Sequence, residues 1–227
     1  MKRLEGEVLE AAAEFGAAES LGGFARHGVG PQQFFGIDAN RRAVAIANLL
    51  LWIGHLQWHL RIRPYAPREP ILRELKQILP GDALIDWEGW PIPAMEAGKE
   101  ALPPDLHRTA WPDVEFIVGN PPFIGGKDLR NRLGDAYAEA LWAAHPQMNE
   151  SADLVMYWWD RAAELLTRPG TALRRFGFVT TNSITQLFQR RTIERYLTAS
   201  RPLSLILAIP DHPWTKAGKD SAAVRIA

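Results

Sequence analysis

From Gln33 onward the chain alternates short apolar runs with longer helix-patterned segments, and this constrains the fold more than any other feature. Gln33 to Ile37 reads as a strand closed by Asp38. Ala39 to about His59 follows as a helix. A short strand over Ile78 to Leu84 ends in Gly81-Asp82-Ala83-Leu84, and the run Val114 to Val118 reads as a buried strand. Helical patterns then cover Leu129 to His145 and Ala152 to Leu166. Next come a strand over Phe176 to Thr181, a helix over Arg190 to Ala199, a strand over Leu203 to Ile209, and an apolar run opening at Ala222. Such alternation predicts a mostly parallel, doubly wound α/β sheet with helices on both faces. A chain of 227 residues is long enough for one such domain, expected here to span 1–227. The helix from Ala39 is apolar on nearly every side, which predicts deep packing. Before it, Met1 to Glu19 has an amphipathic helical pattern with Leu4, Val8, Ala11, Ala12 and Phe15 on one face, and Leu21 to Pro31 is a glycine-rich loop. Arg61 to Pro70 is proline-rich and irregular. Residues 86–112 are rich in Trp, Pro and acid, and are expected to be an irregular insertion.

Charge narrows the function less than the pattern does. Lys plus Arg and Asp plus Glu both number 26, so the chain lacks the basic bias of a domain that grips nucleic acid by itself. Any phosphate contacts are therefore local or lie on another domain. The absence of cysteine excludes disulfides and thiolate metal sites, and is compatible with a cytoplasmic protein. No signal-peptide pattern opens the chain, and the longest apolar stretches read as short of a membrane span.

The chemistry concentrates at Val114 to Phe123, VEFIVGNPPF. Gly119 ends the strand and Asn120-Pro121-Pro122-Phe123 follows at once. Two prolines fix φ twice and remove two backbone donors, and Asn120 is extended because a proline follows it. The result is a stiff loop presenting one amide side chain, a free carbonyl and an aromatic ring. An exocyclic amino group on a flat ring carries two N–H bonds, which the Asn120 side-chain oxygen and the Pro121 carbonyl can both accept. That withdraws the nitrogen lone pair from the ring and frees it to attack, while Phe123 stacks on the base. An ordinary Pro-Pro turn at a strand end is the plain alternative.

Two acids sit at other strand ends. Asp38, followed by Ala39, lies where doubly wound folds place a carboxylate for a ribose hydroxyl pair, and it can equally cap the next helix. Asp82, followed by Ala83, closes the next strand and is also compatible with a solvated turn.

Together FFGIDANRRAVAIA, PGDAL, VEFIVGNPPFIGGK, ADLVMYWWDRAAELL, RFGFVTTNSI and DHPWTKAGKDSAAVRIA resemble the methyltransferase core of MmeI-like DNA methyltransferases, the fused restriction–modification type, over almost the whole chain. The resemblance implies S-adenosylmethionine as cofactor and N6 of adenine in double-stranded DNA as target, with the base flipped out of the helix. It implies a part in restriction–modification or phage defence. It further implies Asn120, Pro121, Pro122 and Phe123 as the catalytic loop. Asp38 and Ala39 would then hold the cofactor ribose, Asp82 and Ala83 its adenine, and Asn120 would also face the cofactor; no metal is implied. One departure stands out: the family's first strand and glycine-rich loop have no counterpart before Asp38. The chain therefore reads as a core lacking its first strand, cut at both ends, whose parent carries a missing N-terminal segment and a target-recognition domain. That reading expects unpaired strand edges and poor stability of the isolated chain. A non-catalytic or split remnant, or a methyltransferase acting on another exocyclic amine or amide, is the alternative.

Overall fold

The computed structural model describes residues 29–62, 77–88, 102–209, 212–213 and 225–226, together with Glu7, Ala11 and Glu14. Those three isolated residues are helical and exposed, Ala11 included, although it was expected on the apolar face. The rest of the helix expected over Met1 to Glu19, most of the loop expected over Leu21 to Pro31, the proline-rich segment after Ile62, all but Gln77 of the helical turn or two that the sequence suggests over Ile71 to Gln77, and the middle of the expected insertion lie outside the described residues. The chain divides into two compact units, 1–82 and 83–227.

In the first unit, Pro31–Gln33 forms a single 3-10 turn where the sequence predicts the start of a strand. Proline fixes φ at the head of that turn, and Gln33 N donates back to Gly30 O at 3.1 Å. Strand β1 is therefore shorter than expected, Gly36–Asp38. Helix α1 follows as Arg41–Ile62. Asn40 Oδ1 accepts from the backbone N–H groups of Arg42 and Ala43 at 2.9 and 3.3 Å, satisfying donors that an opening helix leaves free. Strand β2, Ile78–Pro80, pairs with β1 in parallel, with Gly36 opposite Ile78 and Asp38 opposite Pro80.

Deep packing of α1 is not what the structure shows. Val44 is the one buried residue among its described side chains, and Ile46, Leu49, Leu50 and Leu60 are each more than half exposed. Among the described residues, the elements resting most closely on the helix are β1, β2 and the turn at Pro31, which are too short to cover 22 residues. By length and composition, Arg41–Arg61 is also apolar enough to cross a membrane, with a mean hydropathy of 1.2, so the expectation that no stretch reaches that threshold is corrected.

The second unit holds the larger core. Strands β3, Ile85–Asp86, and β4, His107–Arg108, pair antiparallel, so the two ends of the predicted insertion are tied together. Trp111 Nε1 adds a bond to Ala83 O at 2.6 Å. Strand β5, Phe116–Gly119, is followed by helices α2, Leu129–Leu133, and α3, Asp135–Ala144. The single helix predicted over this stretch is broken at Gly134, whose φ of 87° only glycine adopts at little cost. Helix α4, Val155–Thr167, buries eight of its thirteen residues. Strand β6, Arg175–Phe178, pairs with β5 in parallel, with Phe116 opposite Arg175 and Gly119 opposite Phe178. Helix α5, Leu187–Leu197, packs back on α4.

Polar contacts fix these layers. Asp160 of α4 is buried and accepts from Gln147 Nε2 at 2.8 Å and Tyr196 Oη at 2.7 Å, and also from Arg195. Arg108 of β4 reaches Glu164 of α4 through two bonds of 2.8 and 3.0 Å, and Arg161 adds a third at 3.0 Å. Burial raises the Glu164 carboxyl, but the hydrogen bonds of the two guanidinium groups outweigh it and hold the group below the usual range. His145, buried beneath Tyr157, donates from Nε2 to Leu84 O at 3.1 Å, and burial lowers its imidazole to about 4.

Leu203 to Ile209 is not the buried strand its composition suggests. It forms no ladder with the described strands, and Leu205, Ile206, Leu207 and Ile209 are 61–77% exposed. A last strand appears only as β8, Arg225–Ile226, antiparallel to β7, His212–Pro213. The fold is thus α/β with two parallel strand pairs. The described strands do not join into one continuous sheet. Among the described residues, β1 and β5 each pair along one edge only.

Candidate active site

The NPPF loop lies where the strand pattern puts it. Gly119 closes β5, and Val179 N donates to Gly119 O at 3.1 Å, so pairing with the β6 side persists to the last residue before Asn120. A Cβ on Gly119 would lie 3.2 Å from the Phe178 ring, a tight approach that favours glycine. Asn120 is exposed and its amide makes no hydrogen bond among the described residues. Pro121 is buried, which anchors the loop, and its carbonyl likewise accepts no backbone bond among the described residues. Pro122 is exposed, and its own carbonyl is taken by Ile124 N at 3.2 Å. Phe123 is half-buried, leaving part of its ring accessible. One amide oxygen and one carbonyl oxygen are therefore left at the carboxyl end of β5, with an aromatic ring two to three residues on. That set can accept two N–H hydrogens from one planar amino group.

In the first unit the two acids share an edge. Asp38 closes β1, and Asp82 stands two residues beyond Pro80, its register partner on β2. Both occupy the carboxyl ends of adjacent parallel strands, the position ligands favour in open α/β sheets. Gly81 N bonds to Asp38 O at 3.0 Å and fixes the spacing of the two strand ends. The Asp38 carboxylate is exposed and its Oδ1 accepts from Asn40 N at 2.7 Å. The helix itself is capped by Asn40. Asp38 Oδ2 has no partner among the described residues, which suits a vicinal diol of a nucleoside. Ala39 is exposed, and Asp82 and Ala83 are half-buried.

Sequence reasoning missed Asp153. It stands before α4, where an acid usually caps, yet α4 has no side-chain cap. Its Oδ1 accepts from Gly126 N at 3.1 Å, in the segment after the NPPF loop, and its Oδ2 accepts from Ser183 Oγ at 2.5 Å. The only hint in sequence is an acid directly ahead of a strong amphipathic pattern, which points to capping and so misleads.

The model of the MmeI DNA-methyltransferase domain matches residues 1–227. The chain belongs to that family. No curated protein and no solved structure matches it. The MmeI-family match makes this a methyltransferase domain of the DNA-modifying kind. No group of three or more His, Cys, Asp or Glu able to hold a metal occurs among the described residues.

Proposed function

We propose that this domain methylates N6 of adenine in double-stranded DNA with S-adenosylmethionine as donor, within a restriction–modification or phage-defence system. The observation that carries this reading is the pair of acceptors left open at the end of β5, the Asn120 amide oxygen and the Pro121 carbonyl. They would take the two hydrogens of the adenine amino group and draw its lone pair out of the ring. The base must leave the stack to reach them, and Phe123 offers a face for it. Pro121 and Pro122 hold the acceptors in place before substrate arrives, so their ordering cost is met in folding rather than in the reaction. Asp38 and Ala39 would hold the ribose of the cofactor, and Asp82 with Ala83 its adenine. When bound, S-adenosylmethionine supplies a methyl group on a positively charged sulfur. The alternation of strands and helices supports a doubly wound, Rossmann-like methyltransferase core, and DNA as substrate would put its work in the cytoplasm.

The same acceptors suit a cytosine N4, a guanine N2 or an amide. Family membership in a DNA-methyltransferase domain favours DNA, and the resemblance to MmeI-like enzymes favours adenine. The test uses DNA free of modified bases and S-adenosylmethionine carrying a labelled methyl group, followed by nucleoside analysis of the product. Label is expected in N6-methyladenosine, and Asn120→Ala should lower transfer at least about 100-fold. Label in another nucleoside changes the target. Full activity in the Asn120→Ala variant removes the loop from the mechanism.

A further inference from the structure

The segment that follows the NPPF loop is fastened to the residues that open α4. Leu154 N donates to Ile124 O at 2.8 Å, and Gly126 N donates to Asp153 Oδ1 at 3.1 Å. A Cβ on Gly126 would stand 2.3 Å from the Ser151 carbonyl oxygen, so the two backbones touch. The second oxygen of Asp153 accepts from Ser183 Oγ at 2.5 Å, and Ser183 Oγ is in turn hydrogen-bonded to Thr181 Oγ1. Ser183 lies in the 3-10 turn Asn182–Thr185 that follows β6, the strand paired with β5. One carboxylate therefore spans the two loops that leave neighbouring strand ends. It makes no capping bond to its own helix, whose opening has no side-chain cap.

We propose that Asp153 is a positioning residue for the reaction at Asn120. It ties the Gly126 amide to the Ser183 hydroxyl and so fixes where the NPPF loop stands over β5 and β6. The inference rests on the reading of that loop as the catalytic one. Its chemistry makes a distinctive demand: an acceptor toward Gly126 and a polar partner toward Ser183, with no need for charge. Asparagine can satisfy both. Its oxygen would accept from Gly126 N, its amide nitrogen would donate to Ser183 Oγ, and the Ser183 hydroxyl would turn to donate to Thr181. Alanine satisfies neither.

The experiment measures methyl transfer to unmodified duplex DNA by the full chain and by its Asp153→Ala, Asp153→Asn and Ser183→Ala variants, with cofactor affinity measured separately by calorimetry. Asp153→Ala should lower kcat by about 10- to 100-fold, the scale expected when a reacting group is misplaced by about an ångström. Cofactor affinity should change less than about twofold, and Asp153→Asn should recover most of the rate. Ser183→Ala should fall between the two. A full rate in Asp153→Ala overturns the proposal, as does an Asp153→Asn variant as slow as alanine, which would assign the effect to charge. If Asp153→Ala does not fold, the asparagine and Ser183→Ala variants decide by the same criteria. If the unaltered chain transfers no methyl group, the catalytic reading of the loop falls and this proposal falls with it. Transfer that survives every Asp153 change removes the proposal alone.

Discussion

Helices α1 and α4 are both strongly apolar in sequence, yet they meet opposite fates. Helix α4 buries eight of thirteen residues, Tyr157 and Met156 among them, beneath β6, α5 and the segment around Leu84. Helix α1 has 22 residues and, among its described side chains, buries Val44 alone. The difference lies in what each helix has to pack against. Helix α4 carries a polar stripe, with Asp160, Arg161 and Glu164 each tied to a partner outside the helix, whereas among the described residues α1 meets chiefly two three-residue strands and a single turn. Hydrophobic composition states a demand for cover, and only the neighbouring elements can meet it.

Substitutions that remove apolar volume sharpen that contrast most. Leu141→Ala, at a fully buried position beside α4, should destabilise the second unit by about 2–5 kcal/mol in urea unfolding followed by tryptophan fluorescence. A loss below about 1 kcal/mol would show that this core is looser than its burial implies. Acid should act next. The imidazole of His145 is lowered from 6.5 to about 4 by burial, so the folded state holds it neutral while the unfolded chain takes up a proton. Its contribution is complete above pH 6.5 and is lost as pH falls toward about 4. The full span is on the order of 3 kcal/mol. A stability profile flat between those limits would mean that His145 protonates freely in the fold. The smallest effect belongs to α1: Leu49→Ala, at a position 59% exposed, should change stability by no more than about 0.5 kcal/mol. A cost near that of Leu141→Ala would erase the distinction between the helices.

What could be read from sequence follows the same division. The place of Asn120 at a strand end was legible because it depends on local chemistry: an apolar run, a glycine and two prolines. So was the place of Asp38, between a short strand and a helix. Burial was not legible for α1 or for Leu203 to Ile209, because it depends on which elements lie alongside. The break at Gly134 was hidden inside an otherwise continuous helical pattern. Asp153 was hidden for a different reason. Its partners Gly126 and Ser183 are 27 and 30 positions away, and nothing in the spacing of the three announces that β5 and β6 bring their loops together.

The exposed apolar run Leu203 to Ile209 bears on how the protein behaves as a material. It is a seven-residue stretch, LSLILAI, without charge or proline, and most of its large side chains face solvent. Leu203 N donates to Tyr196 O, but the stretch pairs with no described strand, and segments of that composition are templates for strand addition between molecules. At high concentration this stretch is where self-association should begin, so light scattering should rise with concentration while α4 and its core are still intact. A lysine placed at Leu207 should delay that rise without touching the loop that carries Asn120.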